Sequence, residues 1–295
     1  MNIARQVRPE SSIDYLICPN YCGTVLLDTG ESFSCSSCQL NFPVVDGIPV
    51  MLKSAATRNR ESDDFLKHKR MAYESLEHYN EWYKQRGDFD RALKADQYFI
   101  RRLFTHLRLP VHPKILDIGA GSGYYGRIVK SLFDEELFSC DLAIEGLRQG
   151  KQAGLKKLFV MDAYALAFQD NFFDAIFAFG LNSFMKDDPT EFIDLLARLT
   201  RTLAPGGPFV YVFSTNLRQD SHQFGYSHTP KFVQSVFERS NLFETLELYC
   251  FIRPLAHLYG PLLLNPITTA VTQAVQKIVS MKKPGIRLVA IARKK

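Results

Sequence analysis

Lys114-Ile-Leu-Asp-Ile-Gly-Ala-Gly-Ser-Gly-Tyr-Tyr-Gly126 decides how the rest of this chain is read. Ile115, Leu116 and Ile118 make an apolar run of the length of a buried strand. Three glycines follow at alternate positions, Gly119, Gly121 and Gly123, and beyond them Ile128, Val129, Leu132 and Phe133 recur with helical spacing. A strand, a glycine turn and a helix together bring bare backbone against a ligand at a helix N-terminus. The turn alone does not name the ligand, because such turns serve several nucleotides and some serve none.

Downstream the pattern alternates. A strand over 136–140 ends at Asp141, a helix covers 144–153, and a strand over 157–161 ends at Asp162. A strongly apolar strand over 173–179, a helix over 189–203, a turn at Ala204-Pro-Gly-Gly207 and a strand over 209–213 complete the series. Such alternation implies a parallel sheet covered on both faces, with ligands at the carboxyl ends of the strands. Gly119, Asp141, Asp162 and Gly180 all fall at those ends. Asp141, about twenty residues beyond the turn, is placed to accept from ribose hydroxyls. Asp162 is placed to bond an adenine amino group. Asp117 precedes the glycines, where a carboxylate repels a pyrophosphate but suits a ligand bearing a sulfonium and an ammonium.

Residues 114–215 resemble the class I S-adenosylmethionine-dependent methyltransferases in LDIGAGSG, the acid of FSCDLA, the MDAYALAF loop, NFFDAIFAFG and LTRTLAPGGPFVYVF. The resemblance implies an α/β domain over 111–295, with a Rossmann-like, seven-stranded, mostly parallel sheet and helices on both faces. It implies S-adenosyl-L-methionine as cofactor and a binding set of Asp117, Gly119, Ala120, Gly121, Gly123, Asp141, Leu142, Asp162, Ala163, Phe179 and Gly180. The turn at 119–121 then faces the methionine part, Asp141 the ribose, and Asp162 with Ala163 the adenine. Phe179 and Gly180 line the floor. A helix N-cap is the competing role for Asp162.

Four of the six cysteines, Cys18, Cys22, Cys35 and Cys38, fall in the first forty residues. Two tight pairs around a hairpin supply the four soft donors of a closed, structural zinc site, and a segment this short gains from such a staple. Two disulfides are the competing reading, but nothing in the sequence indicates export. The pairs, followed by Phe42-Pro-Val-Val-Asp-Gly-Ile-Pro-Val-Met-Leu52, resemble the small zinc-ribbon family that activates methyltransferases and is also found fused to them. The ribbon is expected over 1–53. Cys140 and Cys250 read as small buried hydrophobes.

A charged helical bridge is expected over 54–110, broken at Gly87-Asp88 and ended by Pro110 and Pro113. Its Tyr79–Tyr83 cluster reads as a core stripe, with a lid over the cofactor as the alternative. On the acceptor side stand Asn182, His222, Tyr226 and His228, with Thr229-Pro230 starting a helix. The insertion over 253–284 carries an apolar helical face (Ile267, Ala270, Val271, Ala274, Val275, Ile278), read as a lid or dimer contact. A membrane-surface helix is the alternative, given nearby Lys277, Lys282 and Lys283.

No catalytic residue is assigned: the Asn/Asp-Pro-Pro-aromatic signature of amino-methylating enzymes is absent, and Gly180-Leu-Asn-Ser183 stands there instead. The net charge of +5 is mild, the chain is 46% hydrophobic, and no apolar run reaches the length of a spanning helix. A cytoplasmic enzyme methylating a small or lipid-like molecule is expected. RNA methylation is the alternative, since the chain also resembles the ribosomal-RNA guanine-N1 methyltransferases, which join a zinc ribbon to this fold and share the glycine-turn-Tyr-Tyr sequence. In that family a histidine stands where Cys38 does. A third reading is a non-catalytic, cofactor-binding partner of another methyltransferase.

Overall fold

The computed structural model describes residues 14–20, 22–52, 77, 80–81, 84, 94–181, 188–215, 221–222, 225–226, 228–252, 262–263 and 286–295. Four short strands open the chain: β1 (Leu27–Asp28), β2 (Ser32–Ser34), β3 (Asn41–Val45) and β4 (Ile48–Met51). Helix α1 (Lys94–Leu107) is the second helix expected in the bridge; of the first, only Glu77, Asn80, Glu81 and Lys84 are described, all helical.

The alternating core then runs β5 (Ile115–Ile118), α2 (Tyr124–Phe133), β6 (Leu137–Asp141), α3 (Ile144–Gln152), β7 (Leu158–Met161), β8 (Ala175–Phe179), α4 (Pro189–Thr200) and β9 (Pro208–Thr215). A two-stranded ladder, β10 (Ser221–His222) with β11 (Gly225–Tyr226), precedes α5 (Pro230–Ser240), β12 (Phe243–Ile252), β13 (Leu262–Leu263) and β14 (Ile286–Lys294). Asp188 caps α4 by accepting from Thr190 N at 2.8 Å, and Thr229 caps α5 by accepting from Phe232 N at 3.2 Å, each followed by proline in the first turn.

The main sheet has twelve strands, in the order β1-β2-β3-β4-β7-β6-β5-β8-β9-β14-β12-β13. The expected seven-stranded core is the run from β7 to β12, with β14 alone antiparallel to the other six. The additional strands have a physical cause. An exposed edge at β7 leaves backbone donors and acceptors unpaired, and β4 covers it in parallel register, Val50 opposite Val160 and Met51 opposite Met161.

Side-chain parity divides the interior into two faces. Ile115, Phe177, Phe179, Val210, Val212, Val289 and Ile291 point to the face covered by α1 and α2, whereas Leu116, Ile118, Ile176, Ala178, Tyr211 and Leu288 point to the face of α4 and α5. The second core also takes in Leu16, Leu26, Phe33, Phe42 and Met51. Among the described residues, the cysteine-bearing segment, expected over 1–53, shares this core with the main body. Tyr15 is the centre of that junction, with ring centroids 5.4 Å from Phe138 and 5.1 Å from Phe172. On α3, Arg148 Nε donates to Asp46 at 2.8 Å, holding the β3–β4 turn against the helix. The helical face expected at 267–278 lies outside the described residues; within that insertion Leu262 and Leu263 pair with Cys250 and Tyr249.

Candidate functional site

The glycine turn links β5 to α2. Gly119, Gly121 and Gly123 have φ of 70°, 54° and 68°, the left-handed region that strains any residue with a Cβ. Space is tight as well: a Cβ on Gly119 would lie 2.8 Å from Leu181 Cδ1, and one on Gly123 2.3 Å from Leu155 Cδ1, so the leucine tips would have to shift. Gly119 N and Ala120 N both donate to Cys140 O, at 2.9 and 3.1 Å, which ties the turn to the end of β6. Gly123 is the N-cap of α2 and makes no side-chain cap bond.

Three acids stand at the ends of adjacent strands. Asp117 is 1% exposed, and its Oδ1 has no hydrogen-bond partner among the described residues. Burial, reinforced by the Asp141 charge, pushes its carboxyl up to about 8. Such a group needs a cation or a proton to be tolerated. Asp141 accepts from Gly121 N through Oδ2 and from Ala143 N through Oδ1, each at 2.8 Å. Burial raises its pKa, against the pull of N–H donors from Ala143, Gly121 and Leu142. Asp162 is buried, and its Oδ1 accepts from Tyr164 N at 2.9 Å in a turn; no helix follows, so it is not a helix N-cap. Ala163 is buried beside it.

Phe179 ends β8 and Gly180 follows it, the two residues expected at the floor. Phe179 stacks on Tyr125, with centroids 4.1 Å apart. Gly180 has φ of 69°, donates to Val212 O at 2.6 Å, and has open space where a Cβ would sit.

Two residues of this region carry no signal in the sequence. Asp96, 1% exposed in the first turn of α1, accepts a hydrogen bond from Tyr124 OH at 2.8 Å. It reads in sequence as an ordinary acid near a helix start. Asn80 Oδ1 accepts from Glu145 N at 3.1 Å, supplying α3 with the cap that its own N-cap residue, Ala143, does not provide. Tyr79, Trp82 and Tyr83, the aromatic cluster around Asn80, lie outside the described residues.

On the acceptor side, Asn182 lies outside the described residues, and His222 and Tyr226 sit on the paired backbone of β10 and β11. His228 is 2% exposed, stacked on Phe232 at 4.5 Å and tilted against Phe192 at 5.7 Å. That is the setting of a ring packed into the core between α4 and α5.

Cys18, Cys22, Cys35 and Cys38 converge, with their sulfur atoms all within 4.8 Å of one another. All four are free thiols, so the disulfide reading is not realised. Backbone bonds set each pair: Cys18 N donates to Thr24 O, and Cys35 N to Leu40 O, both at 2.9 Å. Four thiolates from two turns fit tetrahedral zinc with no open position, the arrangement of a structural site.

Residues 116–211 match the sequence pattern of a methyltransferase domain. A UPF0434 protein of Magnetococcus marinus is 45% identical over 53 residues, which cover 18% of this chain and 88% of that protein. Among solved structures, Haemonchus contortus phosphoethanolamine N-methyltransferase 2 in complex with S-adenosyl-L-methionine is 16% identical, with a TM-score of 0.49. The match covers 78% of this chain and 59% of that one, so the chain spans about three fifths of that enzyme's length. A complex containing the Haloferax volcanii Trm112 methyltransferase activator aligns with a TM-score of 0.48 at 16% identity, over 73% of this chain and 97% of the other. Residues 116–211 thus carry a methyltransferase domain, and the 53-residue segment shared with the Magnetococcus protein belongs to the UPF0434 family.

Proposed function

We propose that the chain transfers a methyl group from S-adenosyl-L-methionine to a small or lipid-like acceptor, with the cysteine segment as a structural part of the same body. The observation that carries the cofactor reading is Asp117, a carboxyl 1% exposed, with an oxygen unpartnered among the described residues, beside the glycine turn. A cation placed there restores the carboxylate that burial disfavours, and the cofactor brings both an ammonium and a sulfonium. In this reading Asp117 and the turn from Gly119 through Ala120 and Gly121 to Gly123 hold the methionine part. Asp141 with Leu142 holds the ribose, Asp162 with Ala163 the adenine, and Phe179 with Gly180 the floor. Asp141 already accepts two backbone N–H bonds, but a carboxylate has lone pairs left for ribose hydroxyls.

The bound cofactor supplies an electrophilic methyl group. The chain's own work is to hold the acceptor in line with it and keep water away, so positioning provides much of the rate. The acceptor class rests on charge. The net charge of +5 is mild and makes no case for a dedicated polyanion surface. Among the described residues no helix is long and apolar enough to cross a membrane.

The test is transfer of a labelled methyl group from S-adenosyl-L-methionine into fractionated cell extract. Label in the small-molecule or organic-soluble pool is expected. Label in RNA would overturn the acceptor class, and a protein that binds the cofactor but labels no pool would point to the non-catalytic partner role.

A further inference from the structure

We propose that Asp96 is a positioning residue of the cofactor site: through the Tyr124 hydroxyl it pins the outer side of the glycine turn, which is then held from α1 as well as from β6. The inference rests on the S-adenosyl-L-methionine reading given above.

A turn with three positive-φ glycines keeps its shape only where other groups tie it. The inner ties all come from the end of β6: Cys140 O accepts from Gly119 N and Ala120 N, and the Asp141 carboxylate accepts from Gly121 N. The outer side lacks a side-chain cap at Gly123. The next residue, Tyr124, instead donates its hydroxyl to Asp96 Oδ2 at 2.8 Å, and Asp96 is 1% exposed. With the acceptor buried, water does not take the place of this bond when it is lost.

Asp117 shares the sheet face of Ile115, since alternate residues point the same way, and α1 and α2 cover that face. From Tyr124 the contacts continue to the floor: its ring meets Tyr125 edge-on at 5.1 Å, and Tyr125 stacks on Phe179 at 4.1 Å, one residue before Gly180. One series of contacts thus joins α1, the turn and the floor. If Asp96 served only to fasten α1 to α2, its loss would lower stability and leave ligand affinity alone.

The test is calorimetric titration of the wild type, Tyr124→Phe, Asp96→Asn, Asp96→Ala and the double variant Tyr124→Phe/Asp96→Ala with S-adenosyl-L-methionine and with S-adenosyl-L-homocysteine. Thermal midpoints of the unliganded proteins are measured in parallel. Tyr124→Phe and Asp96→Ala should each weaken both ligands by about tenfold, and the double variant by no more than either alone. Asp96→Asn keeps an accepting oxygen and should stay within about threefold of the wild type. Affinities within twofold of the wild type, with lowered midpoints, would overturn the proposal. So would an Asp96→Asn loss as large as that of Asp96→Ala and confined to the cationic ligand, which would make charge the cause. Should Asp96→Ala not fold, Tyr124→Phe decides. A wild type that binds neither ligand defeats the cofactor reading itself, a failure distinct from these.

Discussion

Val50 and Val160 are parallel neighbours in one sheet, so the last strand of the cysteine-bearing segment lies beside the strand that ends at Asp162. The same two parts share a hydrophobic core that runs from Phe33 and Phe42 to Phe138 and Phe168. The cysteine-bearing segment and the main sheet thereby share one core.

Metal removal should therefore act on the whole molecule. Chelation, or Cys35→Ser, is expected to lower zinc content by elemental analysis and to shift a single cooperative unfolding transition downward, since metal-binding energy is folding energy in such sites. Two separate transitions, with the one belonging to the methyltransferase domain unmoved, would contradict the shared core.

The junction can be tested without touching the cysteines. Tyr15→Ala removes a ring packed on Phe138 and Phe172, and should cost about 3–5 kcal/mol in denaturant unfolding. Asp46→Ala breaks the pair with Arg148, whose side chain is 34% exposed against 60% for Asp46, and should cost no more than about 1 kcal/mol. Equal costs would mean that the ion pair, and not the aromatic packing, joins the two parts.

Asp117 makes the unliganded protein sensitive to alkali. Its folded pKa, about 8, lies above the ordinary aspartate value of 3.8, so the folded state holds the proton more tightly. The associated stability is fully present below pH of about 4 and is lost as pH rises toward 8. Asp117→Asn cannot ionise. It should be more stable than the wild type at pH of about 8.5, by something on the order of 2 kcal/mol, with the difference fading toward pH of about 4. Thermal unfolding across that range is the measurement, and a constant difference would be the contrary result.

Two glycines separate backbone strain from site geometry. Gly206 has φ of 73°, and a Cβ added there would meet nothing within 4 Å, so Gly206→Ala should cost only the left-handed penalty of about 1–2 kcal/mol. Gly123→Ala adds a clash with Leu155 and displaces the turn, so it should also weaken S-adenosyl-L-methionine binding in a calorimetric titration. Unchanged affinity would remove Gly123 from the site.

The alternating core was legible because its first four strands, β5 to β8, are short apolar runs that end at or beside a glycine or an acid, and each helix carries a single apolar face. Asp117, Asp141 and Asp162 stood out for the same reason: acids directly at strand ends. The convergence of Cys18, Cys22, Cys35 and Cys38 followed from spacing. The docking of β4 on β7 did not, since Ile48–Met51 announces a strand and nothing announces its partner. Asp96 and Asn80 were invisible because each acts on a residue far along the chain, Tyr124 and Glu145, and only the packed helices bring them together. His228 reads in sequence as a polar group beside a polar loop, and only the packed helices set its ring against Phe192 and Phe232.

The most direct test of the central claim is calorimetric titration of the wild type with S-adenosyl-L-methionine at pH 5.5 and pH 7, in two buffers of different ionisation enthalpy. Over this range the ligand's ammonium stays charged, while Asp117, at about 8, is protonated in the empty site. A cation that restores the carboxylate must expel the proton. Affinity should then rise with pH by up to about tenfold per unit, with close to one proton released per ligand bound. Binding that is absent, or independent of pH with no proton released, would contradict it.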